Sequence, residues 1–232
     1  MDNLVLILAE VVSAIICFIL VRFMIKPYQY TGESRYFGLP LGFVFLGISY
    51  LFMGFALFSD TLIFIEDMKW LQLLTQAFAF AFLAVTYYFS KQSSERKRLL
   101  WQITFAGMIV ALVVSYLIVF VPPTFVLPSY KTVDEYFRIF NIILALYISL
   151  QALRSHAMKP GHKTIWFPLG YVLLVFSQYS LLVWSLDSSF SAFVGAHVLR
   201  LMGLFVFLFV SFHTFASSTD VTTKGKVSDE EV

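Results

Sequence analysis

Three ionisable residues interrupt stretches of chain that are otherwise apolar: Glu10 near the N-terminus, and His197 and Arg200 near the C-terminus. A carboxylate and a guanidinium can neutralise each other. An imidazole three residues before that guanidinium lies on the same helical face. Each charge at the centre of a bilayer costs about 2.5 to 3.5 kcal/mol on insertion scales, so each needs a partner or a cavity. The expected arrangement is a Glu10–Arg200 pair in the protein interior, formed directly or through a water or His197.

Four more side chains with hydrogen-bonding reach fall in apolar runs: Tyr50, Gln76, Asn141 and Gln178. Counted from the expected outer ends of their helices, all seven residues lie about 5 to 10 positions in, roughly 8 to 15 Å deep at 1.5 Å per residue. They form one polar layer in the outer half of the membrane. Two readings stay open. The layer is a pocket for a ligand, ion or substrate, or it is a set of interhelical bonds that hold the bundle together.

Other chemistries are disfavoured by residue type and spacing. His197 and His213 share one stretch on nearly opposite faces, and no other spanning stretch supplies an axial histidine, so haem is not expected. His156 and His162 fall in a loop beside Lys159 and Lys163, which suits a headgroup-contacting loop better than a metal site. Cys17 is the only cysteine, which excludes an intrachain disulfide or a cysteine-based zinc site. No nucleophile elbow, zinc-protease, P-loop or dinucleotide motif occurs. Ser13 and Ser115 are read as bonded to their own helix backbone. No cofactor, no metal and no enzymatic activity are expected.

These residues are carried by an unusually apolar chain of 232 residues, 59% hydrophobic and 13% charged, with a mean hydropathy of +0.83. Soluble domains carry about 25% charged residues. The net charge of +2 sits in short loops rather than on one face, which argues against nucleic acid as a partner. A spanning helix needs roughly 20 apolar residues. Seven stretches qualify: Leu4 to Met24, Leu39 to Phe58, Leu71 to Phe89, Leu100 to Val121, Tyr136 to Leu153, Ile165 to Leu186 and Phe190 to Phe215. The fold class is therefore all-α, a polytopic seven-transmembrane-helix bundle whose main partner is the lipid bilayer. The first stretch lacks the basic flank of a cleaved signal and reads as a retained helix.

Orientation follows from the basic residues, which stay cytoplasmic. Arg22, Lys26, Arg35, Lys91, Arg96, Lys97, Arg98, Arg154, Lys159 and Lys163 fall in the first, third and fifth loops; only Lys69, Lys131 and Arg138 fall in the others, beside acids such as Asp60, Asp134 and Asp187. The N-terminus is expected outside and the C-terminus in the cytoplasm. Turns are expected at Lys26-Pro27, Ser59-Asp60, Ser93 to Arg96, Val121-Pro122-Pro123 and Lys159 to His162. Residues 1–215 form the membrane domain, and the polar segment 216–232 reads as a disordered tail. Trp70, Trp101, Trp166 and Trp184 fall near helix ends, as interfacial aromatics do.

An internal repeat is also expected. Pro40-Leu41-Gly42-Phe43-Val44 recurs as Pro168-Leu169-Gly170-Tyr171-Val172 at a spacing of 128, and Leu46 and Ser49 recur as Leu174 and Ser177. A 3+1+3 plan follows, with the fourth helix as linker and a pseudo-twofold axis along the membrane normal. It pairs Glu10 with Asn141, Tyr50 with Gln178 and Gln76 with Arg200.

This general plan resembles those of microbial rhodopsins and SWEET-type sugar transporters. The seventh stretch has Arg200 and no lysine for a retinal Schiff base, and Leu41 and Leu169 follow the prolines where a PQ-loop protein has glutamine. The segments Lys26-Pro27 through Leu39-Pro40-Leu41-Gly42 and His197-x-x-Arg200-x-x-Gly203 are similar to uncharacterised archaeal seven-helix sensor-like domains. That resemblance implies a non-enzymatic module that senses a small ligand or signal and acts through a membrane or cytoplasmic protein partner. An accessory subunit of a membrane complex and a small-solute transporter are the alternative functions.

Overall fold

In the computed structural model the apolar runs become long helices. Residues 2–31, 34–58, 65–89, 95–121, 129–158 and 165–228 are described, with backbone alone at 2–3, 27, 30–31, 34–35, 95–98 and 215–228. The elements are α1 (Asp2–Met24), α2 (Lys26–Thr31), a 3-10 turn (Ser34–Phe37), α3 (Gly38–Phe58), α4 (Ile65–Phe89), α5 (Glu95–Phe120), α6 (Tyr130–Met158), α7 (Trp166–Asp187) and α8 (Phe190–Ser228). All but α2 and the turn are long and apolar enough to span a bilayer, which gives seven spans, and no strand occurs among the described residues. This is an integral membrane protein with an all-α, seven-helix fold.

Local sequence explains the ends. Pro40 and Pro168 sit in the first turns of α3 and α7, where an amide hydrogen would lack a helical acceptor anyway. α7 stops at Ser188, whose left-handed backbone (φ 53°) lets its N–H donate to the Trp184 carbonyl at 2.8 Å. With so short a link, α7 and α8 are antiparallel neighbours. Ser129 caps α6 by accepting the Thr132 N–H at 3.4 Å.

Several boundaries differ from the sequence expectation. α6 begins at Tyr130 rather than Tyr136, so Lys131, Asp134, Glu135 and Arg138 are helical instead of lying in a loop. It also runs to Met158, which places His156 in its last turn. α4 starts at Ile65 and takes in Glu66 and Asp67, acids that favour a helix N-terminus. Lys26-Pro27, expected as a turn, opens the short helix α2. The turns expected at Ser59-Asp60, Ser93-Ser94, Pro122-Pro123 and Lys159 to His162 lie outside the described residues. The sequence ends the membrane domain at residue 215 and makes the remainder a disordered tail; α8 carries helical backbone on to Ser228, and 229–232 are not described.

Six spanning helices close a ring in the order α1, α3, α4, α6, α7, α8 and back to α1. The fourth span, α5, stands outside and packs on α4, where Phe105 meets Phe82 and Trp101 stacks on Phe105. Its remaining surface is apolar and exposed, as at Ile103, Val110, Val113 and Leu117. That is the surface a helix offers to lipid.

The interior divides into two levels. Phe43, Tyr171, Phe207 and Tyr87 bring α3, α7, α8 and α4 together toward the end where α3 and α7 begin. Their ring centroids lie 4.6 Å apart for Tyr171–Phe207, 5.7 Å for Phe43–Phe207 and 5.6 Å for Tyr87–Tyr171. The other half holds a polar layer, with a smaller apolar cluster of Leu181, Phe193 and Ala196 packed with Leu6 and Trp184 toward the opposite end.

Candidate functional site in the polar half of the ring

Each helix presents one buried stripe inward at helical spacing. On α1 it is Glu10, Ser13, Ala14, Cys17 and Leu20; on α8 it is Phe193, Ala196, His197, Arg200, Leu204 and Phe207. Tyr50 of α3, Gln72 and Gln76 of α4, Asn141 of α6 and Gln178 of α7 are buried as well. Glu10, Gln76, Asn141, His197 and Arg200 follow the starts of their helices, and Tyr50 and Gln178 precede the ends of theirs. All seven sit about ten residues from the same end of the bundle, roughly 15 Å in. The polar layer expected from sequence is thus one level of the structure.

Its centre joins three helices. Arg200 Nη2 lies 2.9 Å from Glu10 Oε1, and His197 Nε2 lies 3.0 Å from the same oxygen. His197 Nδ1 is 2.8 Å from the backbone carbonyl of Phe193, one turn earlier in α8. The Arg200 guanidinium also rests over the Tyr50 ring, 4.3 Å from its centroid. Such a contact adds about 0.5 to 2 kcal/mol, more when desolvated. Gly54 of α3 faces α1 here, and a β-carbon on it would lie in ordinary contact, 3.5 Å from Glu10 Cβ.

The centre leaves hydrogen-bonding capacity unused. Among the described residues, Glu10 Oε2, Tyr50 Oη, Arg200 Nε and Arg200 Nη2 have no hydrogen-bond partner; the 2.9 Å approach of Nη2 to Glu10 is a charge contact rather than an aligned bond. Around it, both amide atoms of Asn141 and Oε1 of Gln178 are likewise buried without one. Gln76 is the member drawn elsewhere, since its Oε1 accepts a bond from Gln72 Nε2 at 3.1 Å. The structure therefore brings Glu10, His197, Arg200 and Tyr50 into contact, and sets Asn141, Gln178 and Gln76 at the same level on other helices.

Sequence reading missed a second buried ion pair. Arg138 Nε donates to Asp134 Oδ2 at 2.9 Å and Nη2 lies 2.8 Å from Oδ1, with both residues only 3% exposed. The four-residue spacing of acid before base was the available signal. Asp134, Arg138 and Asn141 share one face of α6, so that face is polar from the helix start down to the layer. Ser177 also contributes, donating across to the Ala196 carbonyl of α8 at 2.8 Å.

No group of histidine, cysteine and acidic residues able to hold a metal occurs among the described residues. Comparison with protein-family models, with curated proteins and with solved structures finds no match.

Proposed function

We propose that this protein is a non-enzymatic membrane module that receives a small polar ligand or signal in the polar half of its ring and acts through a protein partner. The observation that carries this reading is the unused hydrogen-bonding capacity on five helices: Glu10, Tyr50, Asn141, Gln178 and Arg200 each keep a buried polar atom without a partner among the described residues. A buried polar group left unpaired costs about 1 to 3 kcal/mol. A ligand or ordered water supplies what the protein does not. Asp134 and Arg138 neutralise each other nearer the bundle end, and Glu10 faces both Arg200 and His197, so the unpaired atoms offer hydrogen bonds suited to a small polar molecule. The large aromatic level closes the layer on one side, whereas the apolar cluster toward the other, Leu6, Leu181, Trp184, Phe193 and Ala196, is smaller, which favours entry from that other side. The bias of basic residues in the loops makes that the outer side. α8 bears His197 and Arg200 and continues as one helix to Ser228, a direct connection to the cytoplasmic end. The resemblance to archaeal sensor-like domains points the same way.

A second reading, a small-solute transporter, is favoured by a different observation. Gly42 of α3 is a seat for α4, since a β-carbon on it would meet Leu83 Cγ at 2.6 Å. Gly170 of α7 is a seat for α8, where the clash would be with Phe207 at 2.8 Å. The 124-residue spacing that pairs Gln76 with Arg200 also pairs Leu83 with Phe207. In the ring, α1-α3-α4 and α6-α7-α8 follow one another in the same sequential order. This supports the 3+1+3 repeat and the rocking of two halves that it would permit.

Solvent access separates the readings. Single reporter cysteines at Gln178 and Gln76, in a Cys17→Ala background, should react with an impermeant thiol reagent added on the outer side and not on the cytoplasmic side. Reaction from both sides would establish the transporter reading instead. Protection from both would leave the layer as structural glue in an accessory subunit and overturn the proposal.

A further inference from the structure

The hydrogen bonds of His197 constrain where its protons sit. A backbone carbonyl can only accept, so the 2.8 Å contact with Phe193 requires the proton of the imidazole on Nδ1. In a neutral ring, Nε2 is then a bare lone pair. Yet Nε2 is 3.0 Å from Glu10 Oε1, which as a carboxylate oxygen also offers only lone pairs. Two acceptors do not bond. The contact is a hydrogen bond when one further proton lies between them, either on Nε2 as imidazolium facing carboxylate or on Oε1 as carboxylic acid facing neutral imidazole.

We infer that Glu10 and His197 together form a membrane-embedded binding site for one proton, and that this proton ties α1 to α8. The inference deepens the ligand-receiving reading by naming a species that the same site takes up and releases. The surroundings fit a site that can cycle. Arg200 of α8, 2.9 Å from the shared oxygen, keeps a positive charge beside Glu10 in both states. Tyr50 of α3 stacks under that guanidinium, and Cys17 of α1 is buried on the same stripe as Glu10. α7 brings no acid or base to this level among the described residues; its Ser177 and Gln178 are neutral. Asp134 and Arg138 of α6 lie nearer the bundle end and neutralise each other. When the proton leaves to water, Nε2 and Oε1 repel, and the ring loses a link where α1 closes on α8, a less extensive contact than α1 with α3 or α7 with α8.

Two measurements on the intact wild-type protein in lipid nanodiscs, with no ligand added, decide this. Nitrogen-15 spectra of labelled histidine, assigned with His197→Gln, report both ring nitrogens of His197, and infrared spectra report the carboxylic-acid carbonyl band, assigned with Glu10→Gln. On raising pH, Nδ1 should keep its proton throughout, while one proton is lost either from Nε2 or as the acid band. Spin labels on Leu8→Cys and Val198→Cys, in a Cys17→Ala background, should separate over the same pH range and cease to respond to pH in Glu10→Gln. A neutral ring protonated on Nε2 with bare Nδ1 at every pH would overturn the inference, as would a proton loss with no change between α1 and α8. Reporter cysteines that stay closed on both sides would remove the ligand reading while leaving these spectra unaffected, so the two failures are distinguishable.

Discussion

The two buried ion pairs among the described residues are built in opposite ways. Asp134 and Arg138 lie one turn apart on α6, and their bond forms wherever α6 is helical. Glu10 meets His197 across 187 residues of sequence, and nothing local brings them together. The first pair is a property of a helix. The second is a property of the ring, because it exists only when α1 and α8 are neighbours. Charge burial in a membrane protein can therefore serve two ends: letting a polar helix start enter the bundle, or specifying which helices close it.

The largest effect should come from breaking the long-range pair. Arg200→Gln leaves the Glu10 charge buried against His197 alone, and Glu10→Gln leaves Arg200 unpaired; each should cost about 3 to 5 kcal/mol. Unfolding in mild detergent measures this, and the double variant should lose less than the sum of the two. Additive losses would reduce the pair to two independent packing contacts and erase the comparison.

A smaller effect is expected at the local pair. Arg138→Gln should cost about 1 to 3 kcal/mol, since the Asp134 carboxylate near the start of α6 keeps the favourable field of the helix N-terminus. Replacing both residues by leucine should be neutral or stabilising by up to about 4 kcal/mol. The same assay applies, and a double-leucine variant that fails to assemble would show that this pair, too, specifies the fold.

The smallest effect sharpens the description of the long-range centre. Tyr50→Phe keeps the ring under Arg200 and removes only a hydroxyl that has no hydrogen-bond partner among the described residues, so stability should barely change. Tyr50→Leu removes the ring as well and should cost about 0.5 to 2 kcal/mol. Equal losses in the two variants would place the contribution in the hydroxyl and not in the cation–ring contact.

Legibility followed the same division between local and long-range. Glu10, His197 and Arg200 stood out in sequence because a charge within an apolar run has few tolerable positions in a bilayer. Asp134 and Arg138 were passed over because their density of polar residues read as a loop, although the Ser129 cap and four-residue spacing marked a helix start. The seven residues of the layer were each legible as buried, and so was the Glu10–Arg200 pair; the partners of the others were not. Gln76 turned to Gln72 on its own helix, while Tyr50 lay against Arg200 of a distant one.

By itself the sequence determined the spans, since twenty apolar residues can satisfy their backbone in lipid only as a helix. It also placed the polar residues at similar positions along their spans, because position along a spanning helix is height in the bundle. Only the tertiary structure decided that α5 stands outside a ring of six, for its apolarity is no different in kind from that of α1 or α3. It alone decided that one oxygen of Glu10 faces both His197 and Arg200. Side chains buried against protein and side chains facing lipid are both apolar, so hydrophobicity cannot rank the neighbours of a membrane helix. Close packing at glycines and the pairing of charges rank them, and those contacts exist only between helices that have met.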